Sequence, residues 1–126
     1  CAFCSTLVYG KKVNTRSVEN VIEELRHVII NYGISHFYFI DSTLTLNRKY
    51  ILKLCNAIEK ANLKFTWEGS TRANLVDEEL IDRMKECGLI RLSFGLETAD
   101  PDVSKIIMKG VPIEKYIQSN KLTNKY

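Results

Sequence analysis

The sequence lacks long apolar runs and blocks of like charge. No apolar stretch approaches the ~20 residues that a transmembrane helix needs, so we expect no membrane segment. The 18 Lys and Arg are interspersed with 15 Asp and Glu, and the net charge is only +3. Because no basic stripe with interleaved aromatic residues is visible, nucleic-acid binding has no electrostatic support.

Several catalytic motifs are also missing. The sequence contains no Gly-rich phosphate loop, no G-x-S-x-G and no H-E-x-x-H. These absences remove the simplest signs of a P-loop nucleotide-binding protein, a serine hydrolase of the α/β type and a zinc protease.

The four cysteines lack the spacing of a small disulfide scaffold. A chain of 126 residues with 45% apolar and 26% charged residues is long enough to build a globular core. We therefore expect a reduced, cytoplasmic protein. Cys55 and Cys87 are predicted to be core residues, and His27 and His36 to be structural.

Apolar residues recur at helical spacing after three residues that favour helix N-caps, which are Ser17, Asn47 and Asp77. Pro101 favours the first turn of a short helix, and a last helix is predicted from about Ile113.

Three aromatic or β-branched runs, at residues 36–40, 63–68 and 89–95, predict buried strands between these helices. Single helices between strands imply parallel pairing through right-handed crossovers. The predicted fold class is α/β, with repeated βα units. An open sheet and a barrel both fit this order. Because three strands cannot close a barrel, we expect an arc of a partial (β/α)6 TIM-like barrel.

Polar residues follow each predicted strand, where parallel α/β folds bind their ligands. The first strand ends in Asp41, Ser42 and Thr43, and the second ends in Glu68, Ser70 and Arg72. The third carries Ser93 and ends in Glu97 and Thr98. Exposed loops are polar in any protein, so a turn cap at Asp41 and an Arg72–Glu68 ion pair would explain the same pattern.

The first four residues are Cys1-Ala2-Phe3-Cys4. Two thiols at this spacing can bind one metal ion or cluster, although zinc knuckles and redox disulfides use the same spacing. The pair precedes the first helix, so its loop would lie at the same edge of the sheet as the polar residues if a strand came before it.

Residues 1–5 resemble the second half of the radical S-adenosylmethionine (SAM) signature, C-x-x-x-C-x-Φ-C, in which Φ is aromatic. Residues 38–47, 70–74 and 93–98 also resemble stretches of this superfamily. The resemblance covers nearly the whole chain. It is closest to the subgroup that often carries an upstream cobalamin-binding domain, with the methylthiotransferases as relatives.

The resemblance implies a [4Fe–4S] cluster held by three thiolates, with SAM chelating the remaining iron and being cleaved to a 5′-deoxyadenosyl radical. Cys1 and Cys4 match the second and third metal ligands. The first signature cysteine, the preceding strand and the final strands are missing, so residues 1–126 would be a partial radical SAM core domain. We expect this fragment alone to bind a cluster poorly and to lack turnover.

The resemblance also implies residues that bind the cofactors. Phe3 would pack beside the cluster and the adenine. Asp41 would bind the methionyl amino group, where the commoner family pattern is Gly-Gly-Glu, and Arg72 the methionyl carboxylate. Ser93 and Glu97 would contact the ribose hydroxyls. The enzyme would need an external electron donor and an unknown substrate, and cobalamin stays open as the cofactor of an upstream domain.

Two other interpretations stay open at this point. The chain could be a zinc-stabilised or metal-free α/β binding module, with Cys1 and Cys4 as half of a zinc site. It could also be an ordinary barrel enzyme without a metal, in which Asp41, Glu68 and Glu97 carry acid–base chemistry.

Overall fold

The computed structural model describes residues 2, 4, 10 and 13–125. This part of the chain contains five α-helices and three β-strands, which alternate along most of the sequence. In chain order they are α1 (Val18–Tyr32), β1 (His36–Phe39), α2 (Arg48–Lys60), β2 (Thr66–Thr71), α3 (Glu78–Glu86), β3 (Leu89–Phe94), α4 (Pro101–Ile106) and α5 (Ile113–Thr123). Short 3-10 turns at Leu44–Leu46 and Ala73–Leu75 follow β1 and β2.

The strands form one parallel sheet in the order β1-β2-β3. A single helix connects each strand to the next, so the carboxyl ends of all three strands lie along one edge. The predicted parallel α/β arrangement is confirmed. No helix of the described residues combines the length and the apolar character that a membrane span requires.

The three predicted N-caps are confirmed, since each side chain accepts a backbone hydrogen bond that the first turn of a helix would otherwise leave unmade. The bonds join Asn20 N to Ser17 Oγ at 3.2 Å, Tyr50 N to Asn47 Oδ1 at 3.1 Å, and Leu80 N to Asp77 Oδ1 at 2.9 Å.

The sheet has two different faces, because successive side chains of a strand point to opposite sides. The covered face carries Phe37, Phe39 and Trp67, which pack against the core formed with the helices. The Trp67 ring lies 5.0 Å from that of Phe39, and its Nε1 donates to the Cys87 carbonyl at 2.9 Å. The open face carries His36 and Tyr38, both of which are exposed.

The prediction of a strand over 63–68 followed by a loop from Gly69 is wrong, because β2 runs from Thr66 to Thr71. Gly69 lies in the strand beneath the first 3-10 turn, where an added Cβ would come within 2.9 Å of Leu44 Cδ2. Thr71 is buried and forms a 2.6 Å hydrogen bond with Thr45 Oγ1. Glycine and small polar residues here allow the turn to pack closely, although they resemble a loop in sequence.

Candidate functional site

The three segments that leave the carboxyl ends of the strands lie along one edge of the parallel sheet. These segments, residues 40–47, 72–75 and 95–98, are called the rim below. They carry three of the residues that the sequence predicts to bind cofactors, namely Asp41, Arg72 and Glu97.

Asp41 lies at the β1 end of the rim. Desolvation by the surrounding protein raises the pKa of its carboxyl, against a smaller lowering by a backbone hydrogen bond. Asp41 lines a cleft of about 620 Å³ together with Thr43, Asn47 and Tyr50. Burial and the negative charge of Asp41 raise the pKa of the Tyr50 phenol. The carboxylate is thus held in surroundings that favour a cationic partner.

Arg72 and Glu97 are brought together by a third residue, Lys109. Arg72 Nη2 donates to the Lys109 carbonyl at 3.2 Å. The Lys109 Nζ lies 3.7 Å from Glu97 Oε1. The predicted alternative of an Arg72–Glu68 ion pair does not appear, because Glu68 bonds His36 and lies 3.6 Å from Arg91.

Ser93 lies on the open face of β3, where its register partner is Ser70. The Ser70 hydroxyl bonds the Tyr38 hydroxyl at 2.9 Å, so polar side chains cross all three strands. Because β2 extends beyond its predicted end, Ser70 lies in the strand and not in the predicted loop, and Glu68 lies within the strand and not at its last position. Glu68 therefore faces the open side of the sheet and does not lie on the rim.

Ala2, which lies between Cys1 and Cys4 in the sequence, contacts the segment after α4, because its N–H donates to the Ile107 carbonyl at 2.8 Å. Cys4 is exposed. Cys1 and Phe3 lie outside the described residues. Within the part of the chain that the structure describes, no three His, Cys, Asp or Glu side chains form a metal-binding group.

Lys109, which contacts the rim through Arg72 and Glu97, could not be identified from the sequence. It directly precedes Gly110, in a stretch that has the appearance of an exposed connection. Its burial depends on residues distant in sequence, including Gly95, and no local pattern signals it.

The sequence model of the Radical SAM superfamily matches residues 1–126. The chain belongs to the radical SAM superfamily. Family membership implies a [4Fe–4S] cluster and SAM as cofactors.

Curated relatives share sequence with most or all of the radical SAM chain. An uncharacterized methyltransferase of Pyrococcus horikoshii is 37% identical over the whole chain, which covers 28% of that protein. Cytidylyl-2-hydroxyethylphosphonate methyltransferase of Streptomyces wedmorensis is 31% identical over 86% of the chain and 21% of that protein. Anaerobic magnesium-protoporphyrin IX monomethyl ester cyclase of Rubrivivax gelatinosus is 27% identical over 91% of the chain and 21% of that protein. The chain thus spans less than a third of the length of these relatives.

Solved structures of the cobalamin-dependent SAM radical enzyme OxsB share the fold. The structure with aqua-cobalamin superposes on 85% of this chain with a TM-score of 0.74 and 19% identity, covering 18% of that chain. The structure with aqua-cobalamin and SAM gives a TM-score of 0.71 and 20% identity, and the superposition covers 85% of this chain and 18% of that chain.

The rim and Ser93, which lies near the end of β3, fit SAM in their chemistry. A carboxylate (Asp41) suits an ammonium group, a guanidinium (Arg72) suits a carboxylate, and hydroxyl and carboxylate oxygens (Ser93 and Glu97) suit a ribose diol. For the cluster, the thiol of Cys4 has the right softness and is exposed.

Proposed function

We propose that residues 1–126 are part of a domain that binds a [4Fe–4S] cluster and SAM. In the longer protein, this domain would cleave SAM to a 5′-deoxyadenosyl radical that modifies a substrate. The polar rim is the observation that carries the proposal, because three adjacent strand ends offer groups complementary to the charged and hydroxyl groups of SAM. When bound, the cluster supplies the electron for this cleavage.

Cys1 and Cys4 supply two of the cluster's thiolate ligands in this proposal. The third comes from the longer protein, because Cys55 and Cys87 are buried in the core. Phe3 would pack beside the cluster and the adenine of SAM. The bond between Ala2 N and Ile107 O supports this arrangement, since it holds the cysteine loop against the segment that leads to Lys109.

Four side chains on or next to the rim have a proposed role in orienting SAM. Asp41 accepts from the methionyl ammonium, which offsets the desolvation of its carboxylate. Arg72 donates to the methionyl carboxylate, and Ser93 and Glu97 bond the ribose hydroxyls. Together these contacts hold SAM with its sulfonium near the cysteine loop.

In this proposal, the longer protein completes the domain as a partial barrel. Residues 1–126 lack the first strand, the first ligand cysteine and the final strands of that barrel. Two features support this. β1 is an edge strand of the sheet described. Beside it lies the 620 Å³ cleft, lined by apolar side chains of α1, β1 and α2 that include Leu25, Phe37 and Leu54. A further parallel strand would fill that space.

We propose methyl transfer as the first reaction to test, with cobalamin held by an upstream domain. Both relatives above 30% identity carry methyltransferase names, and OxsB is cobalamin-dependent. An external donor reduces the cluster, and the cytoplasm is the proposed compartment.

The test uses the full-length protein, reconstituted anaerobically with iron and sulfide, reduced with dithionite and given SAM. We expect 5′-deoxyadenosine in the wild type and only background in Cys4→Ala. Cys55→Ala is the matched control, because it removes a thiol outside the loop. Residues 1–126 alone should give no product.

Equal 5′-deoxyadenosine from wild type and Cys4→Ala would contradict the proposal. Stoichiometric zinc without any SAM cleavage would favour the zinc-stabilised binding module instead.

A further inference from the structure

Lys109 is the one charged residue that is buried among those the structure describes, with 7% of its surface exposed. A buried ammonium is costly unless nearby groups compensate it, and lysine is among the residues least often found inside proteins. Its location in a connection between α4 and α5 does not require a lysine. Burying this ammonium therefore costs desolvation free energy, and a specific role would explain why a lysine lies here.

Lys109 is fixed by contacts with three segments. Its backbone N–H donates to the Ser104 carbonyl of α4 at 3.0 Å. Its carbonyl accepts from Arg72, which follows β2. Its ammonium faces Glu97, which follows β3. Lys109 thus ties the segments after two neighbouring strands to α4, which directly precedes the Ile107 contact with Ala2.

The ion pair has an inner and an outer partner. The Lys109 side chain is 9% exposed and that of Glu97 is 43% exposed. The ammonium therefore acts from within the protein, while the carboxylate stays accessible at the rim. A carboxylate has several acceptor positions, so the exposed Glu97 carboxylate can accept from a ligand while it pairs with Lys109.

The backbone around Glu97 is adapted to this arrangement. Glu97 has a φ of 66°, in the left-handed region that residues other than glycine rarely adopt. Its carboxylate folds back over Gly95, where an added Cβ would lie 2.8 Å from Oε1 and 3.4 Å from Lys109 Nζ. The Tyr116 hydroxyl holds the same turn by donating to the Gly95 carbonyl at 2.8 Å.

We infer that Lys109 is a positioning residue whose buried ammonium holds the Glu97 carboxylate at the rim, where it accepts hydrogen bonds from the hydroxyls of a nucleoside ligand. This inference rests on the proposed function, in which that ligand is SAM. Lys109 itself does not touch the ligand and acts through Glu97.

The test measures SAM affinity by titration calorimetry on the reconstituted full-length protein. Lys109→Met should weaken binding by about tenfold, the scale of one charge-assisted hydrogen bond, and Lys109→Arg should restore most of it. Lys105→Met is the matched control. It removes the same charge from a side chain that is 78% exposed, so this variant should bind SAM like the wild type.

Gly95→Ala provides a second route that keeps Lys109 intact. The new methyl group displaces the Glu97 carboxylate, so SAM binding should weaken although no charge is removed. Circular dichroism spectra and thermal melts of every variant verify folding.

A double mutant tests whether Lys109 acts through Glu97. On a Glu97→Gln background, Lys109→Met should cause no further loss of affinity. A further tenfold loss on that background would overturn the inference, and so would wild-type affinity in both Lys109→Met and Gly95→Ala. A wild type that binds a cluster but no SAM would overturn the proposed function together with this inference.

Discussion

The two faces of the sheet carry side chains of different chemistry on the same three strands. On the covered face, Phe39 and Trp67 pack edge to face with ring centroids 5.0 Å apart. On the open face, Tyr38 and Ser70 exchange a hydrogen bond in an exposed setting. The covered face accounts for the fold, because its residues bury apolar surface. The exposed polar side chains of the open face bury little apolar surface, so they are better explained by what they bind.

The largest effect should come from a matched pair of aromatic truncations. Trp67 is 1% exposed and Tyr38 is 53% exposed. Trp67→Ala should lower the free energy of unfolding by about 3–5 kcal/mol, because it leaves a cavity and an unpaired Cys87 carbonyl. Tyr38→Ala should cost under about 1 kcal/mol.

Urea unfolding of both variants measures this difference. Similar losses of unfolding free energy in Tyr38→Ala and Trp67→Ala would contradict the claim that the covered face contributes more to stability than the open face.

The N-cap of α3 should show the next largest effect. Partial burial tends to raise the pKa of Asp77, but the hydrogen bond from Leu80 N–H and the Arg48 ion pair outweigh it and leave the pKa below its usual 3.8. Asp77→Ala should cost about 1 kcal/mol at pH 7. Because the folded pKa is depressed, this contribution is present above about pH 4 and is lost as the pH falls further.

Thermal unfolding at pH 7 and pH 3 checks this, with the exposed Asp102→Ala as the control. If Asp77→Ala lowered stability by the same amount at pH 3 as at pH 7, the ionised Asp77 carboxylate would not be the source of the N-cap stabilisation.

The caps, the parallel order and the buried cysteines could be predicted because each depends on local pattern or burial tendency. Asp77 precedes an acidic first turn and an apolar stripe, which together indicate a helix start. The carboxyl end of β2 could not be predicted, because Gly69 and Ser70 are residue types typical of loops. Gly69 is explained by the close packing of Leu44, and Ser70 by its hydrogen bond with Tyr38, and both contacts join distant parts of the sequence.

The candidate site was predictable in part. Parallel strands bring Asp41, Arg72 and Glu97 to one edge, and that follows from the strand order. The burial of Lys109 does not follow from it, because Gly95 and Tyr116 contribute to that environment from other parts of the chain.

The smallest stability effect is expected on the rim. Burial raises the pKa of Asp41 above its usual 3.8, so the ionised carboxylate lowers stability as the pH rises through that raised value. Asp41→Asn should therefore be as stable as wild type, or more stable by under about 0.5 kcal/mol at pH 7. The difference should vanish below the usual pKa.

The same variant should lose SAM affinity, since an amide does not attract the methionyl ammonium. Thermal melts between pH 3.5 and 7 and SAM titrations measure the two effects. A clearly destabilised Asp41→Asn with normal SAM binding would assign Asp41 to folding and not to the cofactor.

The most direct test of the radical SAM assignment is the electron paramagnetic resonance spectrum of the reduced, reconstituted full-length protein, with and without SAM. We expect a [4Fe–4S] signal that shifts when SAM is added, because SAM would bind the iron that lacks a protein ligand. A protein that forms no cluster, or a cluster signal that SAM leaves unchanged, would contradict the account.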